Sequence, residues 1–485
     1  MCEQREEAMS WFIQEKKSVW REPTGKKMDI AERDEPELFR EAFPYTEPPM
    51  IPFDGKVVPT DPPDEIFITS TTFRDGQQAR PPYSVKQTVD LFKLEHKLSG
   101  PKGILRKSEF FLYTQKDREA VRQCLELGYD YPKVTAWIRA NINDFQLLKG
   151  MGLKETGVLT SISDYHIYRK FKKTRKQAVE GFLKVVDAAL AEGIEIRCHF
   201  EDITRADFYG CVVPFAQILM ERSSQAKIPI TIRLCDTMGY GVPYPGAALP
   251  RSVPKLVYGL HHEAGVPKSQ LEWHGHNDFY KVLINASTAW LYGCMYANGT
   301  LLGYGERTGN TPIEGLVFEY AGLRGTLDGM NTVAVHDITD YYQMNFPHQK
   351  IPSNMPFVGA SFNTTRAGIH ADGLTKNEEI YNIFDTTKIL NRPPGIAITD
   401  KSGLAGISYW IQTFLSEAKG ADKIDKNDER VKRVAAWVEN QYDEGRTTAI
   451  SQQEMIEVVA KEFPTMKEEV DKLRRTGFFV QDTQQ

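Results

Sequence analysis

From Glu65 onward, short apolar runs rich in β-branched residues alternate with longer stretches of helical period. The runs cover residues 66–69, 108–112, 134–138, 157–160, 194–200, 228–234, 270–273 and 293–297. The helix ahead of the fifth run is the clearest. Val179, Phe182, Leu183, Val186 and Leu190 fall on one face, Thr174 stands at its start and Gly193 just past its end. Strands separated by helices run parallel, because the crossover must return the chain to the same end of the sheet. Eight such units over residues 65–325 predict an α/β fold, a TIM (β/α)8 barrel of about 250 residues. An open, doubly wound sheet has the same alternation, and strand counting does not separate the two.

The flanks follow other patterns. Residues 1–64 read as an extended arm, crowded at its end with Pro48, Pro49, Pro52, Pro59, Pro62 and Pro63. After residue 330 the alternation stops. Residues 331–420 read as a linker subdomain of short helices and Gly- and Pro-containing loops. Residues 421–485 read as a helical subdomain, with Val431, Val434 and Val438 on one face and a capping box at Ser451 and Glu454.

Composition narrows the function classes. The 485 residues are 41% apolar and 26% charged, with a net charge of −5. That balance offers no basic surface for nucleic acid or an anionic membrane. No apolar run approaches the ~20 residues that span a bilayer, and the polar N-terminus lacks an apolar signal core. A cytoplasmic protein is expected. The six cysteines, Cys2, Cys124, Cys198, Cys211, Cys235 and Cys294, show no Cys-x-x-Cys spacing, so buried free thiols are expected rather than a zinc ribbon or disulfides.

In a barrel, chemistry sits at the C-terminal ends of the strands, and polar residues cluster there. Arg74-Asp75-Gly76-Gln77-Gln78 follows the first strand. Glu201-Asp202 with Arg205 and Asp207 follows the fifth, and Asp236-Thr237 the sixth. The seventh ends in Trp273-His274-Gly275-His276-Asn277-Asp278. Residues i and i+2 of a strand point the same way, so both imidazoles can enter one mouth as ligands of a divalent transition metal. Taken alone, the pair fits two backbone-bonded core histidines equally well. Gly303-x-Gly305-Glu306-Arg307-Thr308-Gly309-Asn310 follows the eighth strand and is not a phosphate loop. The basic run 169–176 reads as a solvated helix face, or as an attractor for a phosphate-bearing cofactor such as coenzyme A.

These motifs, with Gly368-Ile369-His370-Ala371-Asp372-Gly373 and Ser402-Gly403, stand in the order found in the acyl-CoA Claisen-condensing enzymes. That family includes homocitrate synthase, isopropylmalate synthase and the Re-face citrate synthases, and the chain resembles it from about Ile66 to about Ala460. The resemblance implies a TIM barrel with C-terminal subdomains in a homodimer. It also implies a reaction between acetyl-CoA and a 2-oxo acid, with a divalent ion (Mn, Mg, Zn or Co) as cofactor. It assigns Asp75, His274, His276 and Asn310 to the metal, and Arg74, Glu201 and His370 to catalysis. It assigns Gln78, Glu109, Arg139, Ser163 and Thr237 to substrate binding.

Residues 69–74, 81–83, 108–113 and 242–245 are most similar to the Re-face citrate synthases, which implies oxaloacetate as acceptor. 2-Oxoglutarate and a branched 2-oxo acid are the alternatives inside the family. A 3-hydroxyacyl-CoA lyase or a non-catalytic metal-binding protein are the alternatives outside it. Three departures stand out. Gln77 replaces the family's usual Glu, no Tyr lies in residues 390–396 before Ser402-Gly403 (either Tyr381 or Tyr409 substitutes, or the role is absent), and the helical C-terminus predicts no leucine feedback.

Overall fold

The computed structural model describes residues 19–416 and 424–464. Eight parallel strands close into a barrel: β1 Phe67–Ser70, β2 Leu105–Phe111, β3 Lys133–Ile138, β4 Glu155–Leu159, β5 Glu195–Glu201, β6 Ile230–Asp236, β7 Leu271–Gly275 and β8 Tyr296–Gly299. β8 pairs with β1 from Phe67↔Tyr296 to Ser70↔Gly299, which closes the ring and rules out the open sheet. Outside it lie α1 Val85–Ser99, α2 Gln115–Glu126, α3 Phe145–Met151, α4 Arg175–Ala191, α5 Val213–Ala226, α6 Val253–His262, α7 Val282–Tyr292 and α8 Ile313–Arg324. Capping boxes start α1 (Ser84/Gln87), α2 (Thr114/Asp117) and α4 (Thr174/Gln177), each satisfying amide groups the first turn leaves free.

β2 begins three residues earlier than the apolar pattern indicates. Arg106 and Lys107 are in the strand because their charges have partners. Arg106 lies over the rings of Phe67 and Tyr131, at 3.7 and 4.4 Å, and Lys107 pairs with Glu155 at 2.8 Å. The barrel interior carries a second set of charges. Glu109 of β2, Arg197 of β5, Arg233 of β6 and Glu272 of β7 are all buried. Arg197 donates to Glu109 at 2.6 Å, and Arg233 bridges Glu109 (3.1 Å) and Glu272 (2.8 Å). Alternating signs in a layer allow four charges to leave water together.

The described part of the arm, residues 19–64, has a turn at 40–42 and no helix or strand, and it lies against α5 and α6. Trp20 sits between the rings of Phe208 and Tyr258, and the Asp54 carboxylate meets Lys255 at 2.5 Å with both groups buried. One part of the basic run departs from the solvated face expected of it. Arg175 is fully buried, bonded to Asp164 and Asp207 and to the Ala31 carbonyl of the arm.

The chain divides into two compact units, 1–334 and 335–485. In the second, which begins within α9 Ala334–Asn345, α10 Gly368–Lys376, α11 Thr386–Leu390, α12 Gly403–Ser416, α13 Glu429–Asp443 and α14 Gln452–Glu462 accompany a short parallel pair, β9 Thr364–Thr365 and β10 Gly395–Ile396. One apolar core joins Ala371, Ile398 and Ile411 with Val431, Val434, Val438, Met455 and Val459. The Ser451/Glu454 capping box is formed. Cys124, Cys198, Cys211, Cys235 and Cys294 are buried free thiols, while Cys2 lies outside the described residues. Among the described residues no helix is long and apolar enough to cross a membrane.

Candidate active site

The loop after β1 turns through a single 3-10 turn, Asp75–Gln77. Gln77 holds it. Its amide donates to the Phe73 carbonyl at 2.6 Å and accepts from the Tyr83 amide at 3.0 Å. A glutamate here lacks the donor, so the Gln supports the loop in a way the acid does not. Arg74 lies over Trp137 at 4.5 Å, 3.3 Å from Asp75, with its Nε buried and without a hydrogen-bond partner.

β7 brings both imidazoles to this loop. Nε2 of His274 is 3.2 Å, and Nε2 of His276 3.7 Å, from Asp75 Oδ2. All three side chains are buried, and their ligating atoms lie within 4.8 Å of one another. A hydrogen-bond chain fixes the His274 tautomer. Glu272 accepts from the Thr69 hydroxyl, so the Thr69 oxygen accepts from Asn298 Nδ2 at 2.9 Å. That turns Asn298 Oδ1 to His274 Nδ1, at 2.7 Å. Nδ1 therefore carries the proton, and Nε2 presents a lone pair to the Asp75 carboxylate.

Burial favours the neutral carboxyl of Asp75, but the Arg74 guanidinium and the contacts from His274 and His276 together outweigh it and hold the group far below the usual carboxylate range. Burial pushes His276 down to about 4, so its imidazole is neutral and fit to ligate. Lone pairs facing each other at these distances repel unless a cation sits among them, and the donor set of two imidazoles and a carboxylate fits a divalent metal. Asn310 braces the cluster. Its Nδ2 donates to Asp75 at 3.3 Å and to the Gly275 carbonyl at 3.2 Å, while its Oδ1 is buried without a partner. Two glycines of the loop after β8 make room for it. A Cβ on Gly305 falls 1.8 Å from Asn310 Oδ1, and Gly309, at φ +97°, closes on the Gly303 carbonyl.

A second polar group forms across the ends of β4, β5 and β6. Glu201 bonds to the Ser161 hydroxyl and lies 3.1 Å from His166 Nδ1 and 4.0 Å from Lys170. Burial raises its pKa, but the His166 contact, Ser161 and Lys170 together lower it. Ser163 donates to Asp202 at 2.5 Å, and Thr237 accepts from the Asp202 amide at 2.8 Å, so both converge on Asp202.

The remaining expected residues are dispersed. Gln78 is exposed. Arg139 is exposed at the end of β3, paired with Asp144 at 3.0 Å. Glu109 faces the closed barrel interior with both oxygens engaged. His370 lies in α10 of the second unit, exposed, its ring 4.6 Å from that of Tyr381. A cleft of about 310 Å³ opens between Trp137, Arg139, Leu159, Phe171, Lys173 and Phe182.

Two residues escaped the reading of the sequence. His166 follows β4 in Ser163-Asp164-Tyr165-His166, a polar cluster at a strand end of the same kind as those selected after other strands. Asn298, near the end of β8, has no local signal, because its role depends on Thr69 and His274 across the barrel.

The closed (β/α)8 barrel, with its Asp–His–His cluster at the mouth, coincides with an HMGL-like family signature. The signature of that family matches residues 65–342, and the chain belongs to it. Within the family it is similar to two proteins named Citrate (Re)-synthase. The one from Syntrophus aciditrophicus is 56% identical over 440 residues, 91% of this chain and 70% of that protein. The one from Clostridium kluyveri is 50% identical over 438 residues, 90% of this chain and 96% of that protein. The 2-phosphinomethylmalate synthase of Streptomyces hygroscopicus is 37% identical over 447 residues, 90% and 99% of the two chains.

Proposed function

We propose that the protein condenses acetyl-CoA with oxaloacetate to give citrate and free CoA, the activity named for its relatives at 56% and 50% identity. The observation that carries this reading is the buried cluster of Asp75, His274 and His276, whose donor atoms face one another beside Arg74. A divalent ion held there supplies Lewis acidity to the carbonyl of a 2-oxo acid. Arg74, pinned on Trp137 with an uncommitted Nε–H, stabilises negative charge as the keto oxygen becomes an alkoxide.

The acetyl methyl group loses a proton, its carbon bonds to the keto carbon, and water then cleaves the thioester. Glu201, kept ionised beside His166, takes part in proton transfer, and His370 supplies the second group. Ser163 and Thr237 hold a substrate carboxylate. Gln78, Glu109 and Arg139 belong to the same substrate-binding assignment, with Glu109 acting from the barrel interior. Trp137, Phe171 and Phe182, flanked by Arg139 and Lys173, give coenzyme A an aromatic slot with cations for its phosphates. A cytoplasmic homodimer completes this reading, and sedimentation tests the assembly.

Thiol release from acetyl-CoA measures the reaction. It is expected to require a divalent metal and to proceed faster with oxaloacetate than with 2-oxoglutarate or 2-oxoisovalerate. A preference for either of the others redirects the reading to homocitrate or isopropylmalate synthesis. No release with any of the three removes the synthase reading and leaves the lyase or the non-catalytic metal-binding protein. His274→Ala is expected to abolish turnover and weaken metal binding, and full activity would overturn the ligand assignment.

A further inference from the structure

We infer that a second divalent transition-metal site joins the arm to the lower face of the barrel, formed by Asp61, His261 and His262. The two histidines are the last residues of α6, which ends beside the start of β7, at the opposite end of that strand from His274. Asp61 belongs to the arm, and its amide is tied to the Leu291 carbonyl at the end of α7 at 2.9 Å. Its Oδ2 lies 2.8 Å from His262 Nε2 and 4.0 Å from His261 Nε2, and the three ligating atoms fall within 4.8 Å of one another.

Groups outside the triad orient its donors. His261 Nδ1 is 2.8 Å from the Val266 carbonyl. A carbonyl only accepts, so Nδ1 carries the proton and Nε2 presents its lone pair toward Asp61. Lys268 occupies the other carboxylate oxygen, Oδ1, at 2.5 Å, which leaves Oδ2 to the imidazoles. The His262 ring is stacked on Tyr258 at 4.0 Å. An ordinary ion pair with His262 would leave the His261 lone pair without a role, whereas a cation uses all three donors.

The C-terminal end of α6 adds its negative dipole, which offsets the nearby Lys268 charge. Two imidazoles and one carboxylate select zinc-class ions over magnesium or calcium, and partial exposure leaves room for water to complete the coordination. Because the ligands come from the arm and from α6, the ion fastens one to the other.

The test is zinc bound per chain, measured by equilibrium dialysis on the full-length protein, its His274→Ala variant, its His261→Ala/His262→Ala variant and the combination. The expected result is two ions for the parent, one for each variant and none for the combination. Zinc should also raise the melting temperature of His274→Ala but not of the combination. His261→Ala/His262→Ala should keep thiol-release activity at saturating metal. His262→Gln, which keeps a hydrogen-bonding side chain but loses the imidazole, covers the case in which the double variant misfolds. Parent stoichiometry in His261→Ala/His262→Ala or in His262→Gln overturns the inference, as does loss of all zinc in His274→Ala. Unchanged binding in His274→Ala would refute the mouth site instead.

Discussion

Asn298→Ala isolates how far the metal cluster depends on support from behind. The amide makes two buried hydrogen bonds, 2.7 Å to His274 and 2.9 Å to Thr69. Losing both costs about 1–3 kcal/mol of stability at about 0.5–1.5 kcal/mol each. The effect on metal is separate. Without Asn298 Oδ1, nothing holds the proton on Nδ1 of His274 or fixes the ring plane. Removing such a supporting partner lowers metal affinity about 10–100-fold, or roughly 1.4–2.7 kcal/mol. Calorimetric titration of zinc or manganese, with kcat/KM for thiol release at saturating metal, measures it.

Asn298→Asp keeps the acceptor for His274 but loses the donor to Thr69, whose own hydroxyl is committed to Glu272. It is expected to recover affinity while remaining less stable. Metal affinity for Asn298→Ala within twofold of the parent would refute the tautomer argument.

Gly305→Ala places a Cβ 1.8 Å from Asn310 Oδ1, so it is expected to displace Asn310 and lower metal affinity, at a strain cost of about 1–3 kcal/mol read as a fall in melting temperature. Glu109→Gln leaves Arg197 and Arg233 short of negative charge inside the barrel. The expected loss approaches the ~3–5 kcal/mol of a broken buried pair. A raised KM with an unchanged melting temperature would instead mark Glu109 as a substrate contact alone. Burial raises Glu95 from 4.5 to about 7 despite bonds from Ser70 and Ser108. The unfolded chain gives up this proton near pH 4.5 and the folded chain near 7, so stability falls by about 3 kcal/mol as pH rises between them. Glu95→Gln is expected to flatten that slope, leaving the variant more stable than the parent at pH 8 in denaturant titrations. An unchanged slope would refute the assignment.

Much of the fold was legible because backbone and burial impose periods on the chain. Each strand ran through a short apolar segment, α4 began at the Thr174 capping box, and α13 buried the Val431, Val434 and Val438 stripe. His274 and His276 were legible as a pair because strand geometry alone puts i and i+2 on one side. Tertiary structure decided the rest. Closure of β8 onto β1 separated a barrel from an open sheet that has the same alternation. Arg175, within a run that reads as solvated, became a buried anchor because Asp164 and Asp207 come from other segments.

Two lone histidines at strand spacing are as compatible with a core as with a metal. Asp75, arriving from the far end of the barrel domain, and Asn298, fixing the tautomer through Thr69, gather them into one buried cluster whose donor atoms face one another. Local period and capping are written in neighbouring residues. The pairing of charges and the direction of a lone pair depend on residues from different segments, as Glu109 and Arg233 are at 124 positions and Asn298 and Thr69 at 229, which only the closed barrel brings together.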